Sequence, residues 1–455
     1  SRRQRQMCIR DSLKALDGDH LRIAKGALRV AFFLFIGKIA GALKEMAVAN
    51  RYGVSDVVDA YQFTMTMSTW LPSTLVGVFS MVLIPSFVKL RHDVEAEQHR
   101  FISQCEGILL LLGVLLSGLT FYLWPWVLTH AAEGFSAETK ALSQRMIYGF
   151  APTVILILLI GLSMSRLRAR EKHINTLLDS LPALFILLWI LLSPGDTSVV
   201  PLLWGTLLGY LVQAFVLQIL AARAEPHRAW FKPSISLSSP YWAAVISAAG
   251  VMLIGQVAMS FVGPLDQMIA AKLGDNANAT LGYAARVLSL IIGLGAASVG
   301  RAALPVLADV QAQGEYAKAR SMALKWALGM MGLGVLAVLV LWLLSPYLVQ
   351  LLFQRGAFSA DNTATVTSVM RYGLLQLPFY FGVLILVQLM ASQNRYTLMA
   401  AIAVANFALK AVLSFYLAPI MGAEGIMLAT AMMYLLSFCC YFVAVTVIKP
   451  GFVKI

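Results

Sequence analysis

The chain has 455 residues, of which 59% are hydrophobic and 13% charged, and its mean hydropathy is +0.77. A soluble domain carries about 25% charged residues, so this composition excludes a water-soluble protein and indicates an integral membrane protein. The net charge of +13 would suggest nucleic-acid binding in a soluble chain, but in a membrane chain it first reports topology, and we expect no nucleic-acid partner.

Residues 1–20 form a leader of doubtful origin. The stretch QMCIRDS at 6–12 resembles a translated sequencing adapter, so we set the leader aside. It has no apolar run that ends at a small-residue cleavage site and is not predicted to be a signal peptide.

The rest of the chain is predicted to be all-α, with about twelve transmembrane helices. Each apolar run approaches the roughly 20 residues that cross a bilayer. The predicted spans are 27–47, 60–85, 104–129, 145–166, 174–193, 199–221, 240–272, 280–304, 325–350, 364–391, 396–418 and 423–447.

Lys and Arg predict which side each connection faces. They are concentrated in alternate connections such as 166–172 and 223–232. The opposite side holds few: Arg51, Lys140, Arg145, Lys272 and Arg355. This bias places both termini in the cytoplasm of a multi-pass inner-membrane protein.

An internal repeat divides the chain. Residues 43–49 (LKEMAVA) correspond to 265–271 (LDQMIAA), and Tyr148-Gly149 correspond to Tyr372-Gly373. We therefore predict an N-terminal lobe at 21–223 (spans 1–6), a cytoplasmic linker at 224–238 and a C-terminal lobe at 239–455 (spans 7–12). An even number of spans per repeat gives both lobes the same orientation, as in transporters whose lobes rock around a central site.

Ionisable residues inside spans identify the candidate site. Each costs roughly 2.5–3.5 kcal/mol to insert, so we expect it to face a cavity or a partner. At about 100° per residue, five residues of span 1 share one side of the helix: Gly37, Lys38, Gly41, Lys44 and Glu45. This stripe fits an anion site and, equally, a buried salt bridge that pairs Lys44 with Glu45 or a neighbour.

The second half adds further cations. Arg286 lies about two turns into span 8, and its planar guanidinium suits a bidentate phosphate contact. Within the spans, basic residues outnumber acidic ones: Lys38, Lys44, Arg286, Arg371 and Lys410 against Glu45, Asp179 and Asp266. A purely structural network would tend towards neutrality, so the surplus predicts an anionic ligand.

Several segments carry a family resemblance. Residues 37–45 (GKIAGALKE), 59–61 (DAY), 283–288 (YAARVL) and 353–361 (FQRGAFSAD) resemble motifs of the lipid II flippase (MurJ/MviN) family, part of the multidrug/oligosaccharidyl-lipid/polysaccharide exporter superfamily. The resemblance runs from about residue 25 to 448, and its last motif is the most specific.

The resemblance implies two lobes around a cationic central cavity that work by alternating access. The expected substrate is a polyprenyl-pyrophosphate-linked saccharide, either lipid II or an exopolysaccharide or O-antigen repeat unit. Lys38 and Lys44 take the positions of two span-1 arginines of the family, and Glu45, Asp59 and Arg286 match its other headgroup residues. We add secondary cavity candidates, Gly41 and Arg371.

Three departures favour the exopolysaccharide or O-antigen substrate. Lysines replace both span-1 arginines, which keeps the charge but loses the bidentate fork. The family's arginine pair in span 2 falls around Pro72-Ser73. The family commonly has fourteen spans, and twelve are predicted here.

A remnant of a cation site is also implied. Some family members bind sodium through a span-7 aspartate and an asparagine and aspartate in span 11. Asp266 and Asn406 match, but Lys410 stands in the place of the second aspartate. We predict that Lys410 is a tethered cation that pairs with Asp266, and that activity is independent of sodium. The alternative is that Lys410 reaches the membrane surface and touches neither residue.

Two other functions are considered, a multidrug antiporter and a scaffold without transport activity. A multidrug cation antiporter of the same superfamily would need an anionic cavity, and a non-transporting scaffold would tolerate alanine at Lys44 and Arg286. The cysteines show no metal or disulfide spacing. No metal-ligand cluster appears in the sequence and the six histidines are scattered, so we predict neither an enzyme nor a cofactor. Membrane lipids are the remaining expected partners.

Overall fold

The computed structural model describes residues 32–447, except 34, 92, 173, 194, 196, 226–229, 275 and 394. It gives the backbone alone at 251–252, 254, 294–306, 308–309 and 312. The leader 1–20, the start of predicted span 1 (27–31) and part of the predicted linker lie outside the described residues.

All regular elements in this described part of the chain are helices. They are α1 (35–52), α2 (Asp56–Leu90), α3 (Glu95–Ala131), α4 (Ala137–Arg168), α5 (Asn175–Leu178), α6 (Leu181–Leu192), α7 (Val200–Ala224), α8 (Tyr241–Ser260), α9 (Val262–Leu273), α10 (Ala277–Ala312), α11 (Tyr316–Phe353), α12 (Ala360–Leu374), α13 (Leu377–Ser392), α14 (Tyr396–Met421) and α15 (Ala423–Val447).

Each predicted span coincides with one helix or with two consecutive helices. Across the described ranges, nine segments are long and apolar enough to cross a membrane, and the bent pair α8–α9 makes a tenth. The other two predicted spans correspond to α1 and α10. The all-α fold class is confirmed, and the protein is a multi-pass membrane protein.

Apolar side chains cover the outside of the bundle as well as its core. Leu115 and Leu119 on α3, and Leu333 and Leu336 on α11, are exposed. In water this would be unfavourable, but in lipid only the backbone polar groups must be satisfied internally, which helices achieve. These surfaces therefore face acyl chains.

Two glycine contacts join the halves of the chain on the predicted outer face. A Cβ atom added to Gly356, which has a φ of +55°, would overlap the carbonyl oxygen of Asn50, and one added to Gly134 would overlap that of Lys272. The amide of Ala357 also donates to Asn50 O at 2.9 Å. Gly134 and Gly356 are repeat equivalents, as are Asn50 and Lys272, because each pair has the same offset. The same contact is thus made twice.

The linker between the halves is attached to α3 on the predicted cytoplasmic face. Ser234 N donates to Ser103 O at 2.9 Å, and Gln104 Nε2 donates to Ser238 Oγ at 2.8 Å. A side chain at Gly107 would overlap the backbone of Ser234. The described part of the linker is therefore held against the first half.

A buried ion cluster lies beside this linker. Arg166, which is 2% exposed, donates through Nε and Nη2 to both oxygens of Glu225, at 2.9 and 2.8 Å. Its Nη1 donates to Glu106 Oε1 at 3.0 Å. One guanidinium therefore ties α4 to α3 and to the end of α7.

Candidate functional site

A cavity of about 270 Å³ lies between the two halves. We call it the basic cavity. Helices α1, α2, α6 and α7 line it from the first half, and α10 and α11 line it from the second. Its polar and glycine lining is Gly37, Lys38, Gly41, Lys44, Glu45, Tyr61, Asp179, Tyr210, Arg286 and Ser289.

The predicted stripe of span 1 faces this cavity. All five of its residues belong to the lining: Gly37, Lys38, Gly41, Lys44 and Glu45. Among the described residues, no atom outside the adjacent backbone of α1 lies within 4 Å of where a Cβ atom of Gly41 would sit. The glycine thus leaves open space beside the charged groups, as a ligand site requires.

Glu45 is shared by two cations. Lys44 Nζ donates to Glu45 Oε1 at 2.6 Å, and Arg286 Nε lies 2.9 Å from the same oxygen. The Lys44 ammonium also lies 5.4 Å from the centroid of the Tyr61 ring, within cation–π range. The salt bridge that the sequence left as an alternative is therefore present, and it is part of the cavity wall.

The cavity retains a surplus of positive charge. Within the described residues, Lys38 has no carboxylate at ion-pair distance, and its ammonium lies beside Gly293 of α10. The second acidic lining residue, Asp179, accepts a hydrogen bond from Gln213 at 3.0 Å. Three cations thus face two carboxylates in the described lining. The Arg286 side chain is 45% exposed, which leaves it accessible from the cavity.

Two predicted site residues lie elsewhere. Asp59 is 2% exposed, and its Oδ1 accepts from Ala279 N at 2.6 Å, so it satisfies an amide in the first turn of α10. Arg371 donates to Ser345 Oγ at 3.0 Å and stacks over Trp342 at 5.5 Å. Neither belongs to the described lining, and Asp59 Oδ1 and Arg371 Nε are paired with neighbouring helices instead.

In the predicted cation-site remnant, the ammonium of Lys410 is buried and pairs with Asp266. Lys410, which is 0% exposed, lies 2.7 Å from Asp266 Oδ1 and donates to Ile426 O at 2.7 Å. Asn406 lies one turn earlier on the same buried face of α14, and its Oδ1 is buried without a hydrogen-bond partner in the described structure. Lys410 therefore points into the bundle and not towards the membrane surface.

Four polar lining residues were not among the predicted site residues. One of them, Ser289, donates to Arg286 O within its own helix and had no signal. Asp179 was noted only as a charge inside a span, although that feature could have identified it. Tyr61 appeared only as the last residue of the 59–61 segment that carries the family resemblance. Tyr210 had no signal, since a lone tyrosine in an apolar run is typical of any helix interface. No group of three or more His, Cys, Asp or Glu side chains that could hold a metal ion lies within the described residues.

Comparisons with known proteins agree with this architecture. The probable lipid II flippase MurJ of Rhizobium tropici is 26% identical over 425 residues, which cover 87% of this chain and 75% of that protein. A solved structure of a lipid II flippase MurJ, in an inward closed conformation, aligns with a TM-score of 0.78 at 19% identity, covering 93% of this chain and 88% of that one.

A more distant structural neighbour shares the fold. An inward-facing multidrug resistance MATE family transporter of the MOP superfamily aligns with a TM-score of 0.69 at 14% identity, over 93% of this chain and 97% of that one. The family model described as lipid II flippase MurJ matches residues 48–450. Since that match spans most of the sequence, the chain belongs to the lipid II flippase MurJ family.

Proposed function

We propose that this protein is a flippase that moves a polyprenyl-pyrophosphate-linked saccharide from the inner to the outer leaflet of the bacterial inner membrane. The observation that carries the proposal is the basic cavity, where Lys38 and Lys44 from the first half meet Arg286 from the second. A pyrophosphate is the multiply charged anion that such a surplus of cations suits.

The named relatives make lipid II the first candidate substrate. An exopolysaccharide or O-antigen repeat unit on the same carrier is the second. Two departures from the family pattern favour the second candidate: lysines stand at both span-1 positions, and the family's span-2 arginine pair falls around Pro72-Ser73. A lysine ammonium is a point charge without the fixed fork of a guanidinium, so this cavity is less specialised for bidentate phosphate binding.

Glu45 suggests how binding is coupled to movement. A pyrophosphate that enters the basic cavity competes with Glu45 for Lys44 and Arg286. Displacing Glu45 from Arg286 removes an ion pair between α1 and α10, and thus between the two proposed lobes. The substrate would then supply its own bridge between the halves, so that its presence sets which arrangement of the lobes is favoured.

The charge of the headgroup favours outward transport. With both termini in the cytoplasm, as we propose, outward movement of a negative charge is favoured by roughly 2.3 kcal/mol per 100 mV of potential, inside negative. The membrane potential would therefore assist export of a diphosphate headgroup.

A multidrug cation antiporter is the competing function, because the MATE neighbour has the same fold. The fold alone does not decide function. The charge of the cavity favours the flippase, since cationic drugs would meet three basic side chains and only two carboxylates in the described lining.

The test is complementation of a bacterium depleted of its own lipid II flippase, together with a flipping assay in proteoliposomes. Growth would identify lipid II as a substrate. Failure of the well-expressed protein to support growth, combined with flipping of a lipid-linked saccharide without a peptide, would identify the second candidate. Export of cationic dyes without flipping of either lipid would overturn the proposal.

A further inference from the structure

A second open space adjoins the basic cavity. It has a volume of about 380 Å³ and lies between α2, α8 and α9. Met65 and Arg286 line both spaces. We call it the hydroxyl hollow because of its polar lining, which includes Thr66, Thr69, Trp70, Ser73, Gln256 and Ser260.

The sequence of α2 explains how the hydroxyls come together. Thr66, Thr69 and Ser73 are spaced by three and four residues, so they share one face of the helix. Trp70 Nε1 donates to Ser260 Oγ at 3.0 Å. Thr74 Oγ1 donates to the same oxygen at 2.8 Å. This bridge holds α8 against α2 and fixes the walls of the hollow.

Much of the hydrogen-bonding capacity of the lining is unused. Thr66, Ser73 and Gln256 are at least partly exposed and make no hydrogen bond within the described residues. Thr69 Oγ1 donates to Met65 O at 2.6 Å, which uses its proton but leaves its lone pairs free to accept. The hollow thus offers both donors and acceptors to a ligand.

The hollow is also nearly free of charge. In its described lining, Arg286 is the one charged residue, and it lies at the boundary with the basic cavity. A carboxylate bound deep in the hollow would lose hydration without gaining a counter-charge, which is costly. Sugar hydroxyls, which both donate and accept, match the neutral lining, and Trp70 adds an aromatic side chain with a polar tip.

We propose that the hydroxyl hollow binds an uncharged sugar of the lipid-linked saccharide while the diphosphate occupies the basic cavity. This inference rests on the proposed function and adds the class of headgroup that the protein selects. Arg286 lies at the junction, where the diphosphate meets its first sugar. Headgroups with an acidic group on a sugar that lies deep in the hollow are selected against.

The test compares lipid binding by the purified full chain in nanodiscs. The probes are a polyprenyl diphosphate, the same lipid with a neutral disaccharide, and the same lipid with an acidic disaccharide. The variant combines Thr66→Val, Ser73→Ala and Gln256→Leu, whose polar groups have no partner to lose in the described fold. Ser80→Ala, on the same helix but outside the described lining of both spaces, is the control.

We expect the wild type and Ser80→Ala to bind the neutral glycolipid more tightly than the bare diphosphate lipid or the acidic glycolipid. The triple variant should lose about fivefold in affinity for the neutral glycolipid per hydrogen bond removed. Its affinity for the bare lipid should be unchanged, which also shows that it is folded.

Equal binding of the bare lipid and the neutral glycolipid by the wild type would overturn the inference. So would an undiminished preference in the triple variant, or tighter binding of the acidic glycolipid. In each case binding of the bare lipid, weakened by Arg286→Ala, would leave the proposed function standing. If the wild type binds no diphosphate lipid, the proposed function itself fails.

Discussion

Arg286 Nε and Glu45 Oε1 lie 2.9 Å apart, although one residue belongs to the second half of the chain and the other to the first. The same oxygen accepts from Lys44, while Glu45 Oε2 is buried without a hydrogen-bond partner in the described structure. The carboxylate of Glu45 is thus paired with both Lys44 and Arg286 through one oxygen. An anion with several oxygens can satisfy both better than Glu45 does.

Arg286→Ala should weaken binding of a polyprenyl diphosphate by roughly 10- to 100-fold, since a hydrogen bond to a charged group contributes about 1.5–3 kcal/mol. Arg371→Ala is the control, because Arg371 is also an arginine within a span of the second half but is partly buried against Ser345 and Trp342. The measurement is the affinity of each purified variant for the polyprenyl diphosphate, which should fall in Arg286→Ala and stay near the wild-type value in Arg371→Ala. Equal losses in both variants would contradict the assignment of Arg286 to the site.

Lys410→Met should destabilise the fold by about 3–5 kcal/mol, because it leaves the Asp266 carboxylate buried without its counter-charge. Adding Asp266→Asn should recover a large part of that loss, since both charges are then gone. Thermal unfolding in one detergent, with ligand absent, provides the comparison. A double variant no more stable than Lys410→Met would argue against a direct pair.

Transport should be independent of sodium. The Lys410 ammonium already lies against Asp266 and donates to Ile426 O, so the position for a positive charge is filled by the chain itself. Flipping rates measured with sodium replaced by potassium, at fixed pH and potential, should not change. A clear acceleration by sodium would refute the tethered-cation role of Lys410.

Gly356→Ala should prevent the halves from closing on the predicted outer face, because its Cβ atom would overlap Asn50 O. A cysteine at Gly41, where a Cβ atom meets nothing within 4 Å, can report access to the basic cavity in an otherwise cysteine-free chain. Labelling by an impermeant maleimide from outside should increase in Gly356→Ala. Gly118→Ala, where the added atom has open space, should label like the parent, and equal labelling of both variants would contradict the prediction.

Arg166→Lys should be markedly less stable than the wild type. The guanidinium of Arg166 binds both oxygens of Glu225 and also donates to Glu106. A lysine ammonium lacks this planar fork and cannot make all three hydrogen bonds in the same geometry. Arg168→Lys is the control, because Arg168 lies two residues further along α4 and is exposed. The check is the unfolding midpoint of each protein, and an unchanged midpoint in Arg166→Lys would show that the cluster is dispensable.

Features that depend on one helix at a time could be predicted from the sequence. The five-residue stripe of α1 follows from helical periodicity, so the cavity confirms that these residues share a face. The contact between Lys410 and Asp266 joins two helices, and it was predicted only through the resemblance to the family's sodium site, where Lys410 stands in the place of an aspartate. The stripe needs local geometry alone, whereas this pair also needed the resemblance.

Features that depend on how two helices are rotated against each other could not be predicted. Arg371 looked like a cavity residue because it is a charge in a span, but its partners Trp342 and Ser345 lie on α11. Asp59 matched a headgroup residue, yet it satisfies the first turn of α10. Nothing in the spacing of one span specifies which face of its neighbour it meets.

The paired contacts of Gly134 and Gly356 have an implication for the origin of the protein. A dimer of one six-helix subunit would make this contact at two identical places around its axis, since each copy would offer both the glycine and the carbonyl. Closure on that side would therefore have been available before the two copies were fused. Fusion would then have freed each half to diverge, so that Lys44 and Glu45 remain in one and Asp266 and Gln267 stand in the other.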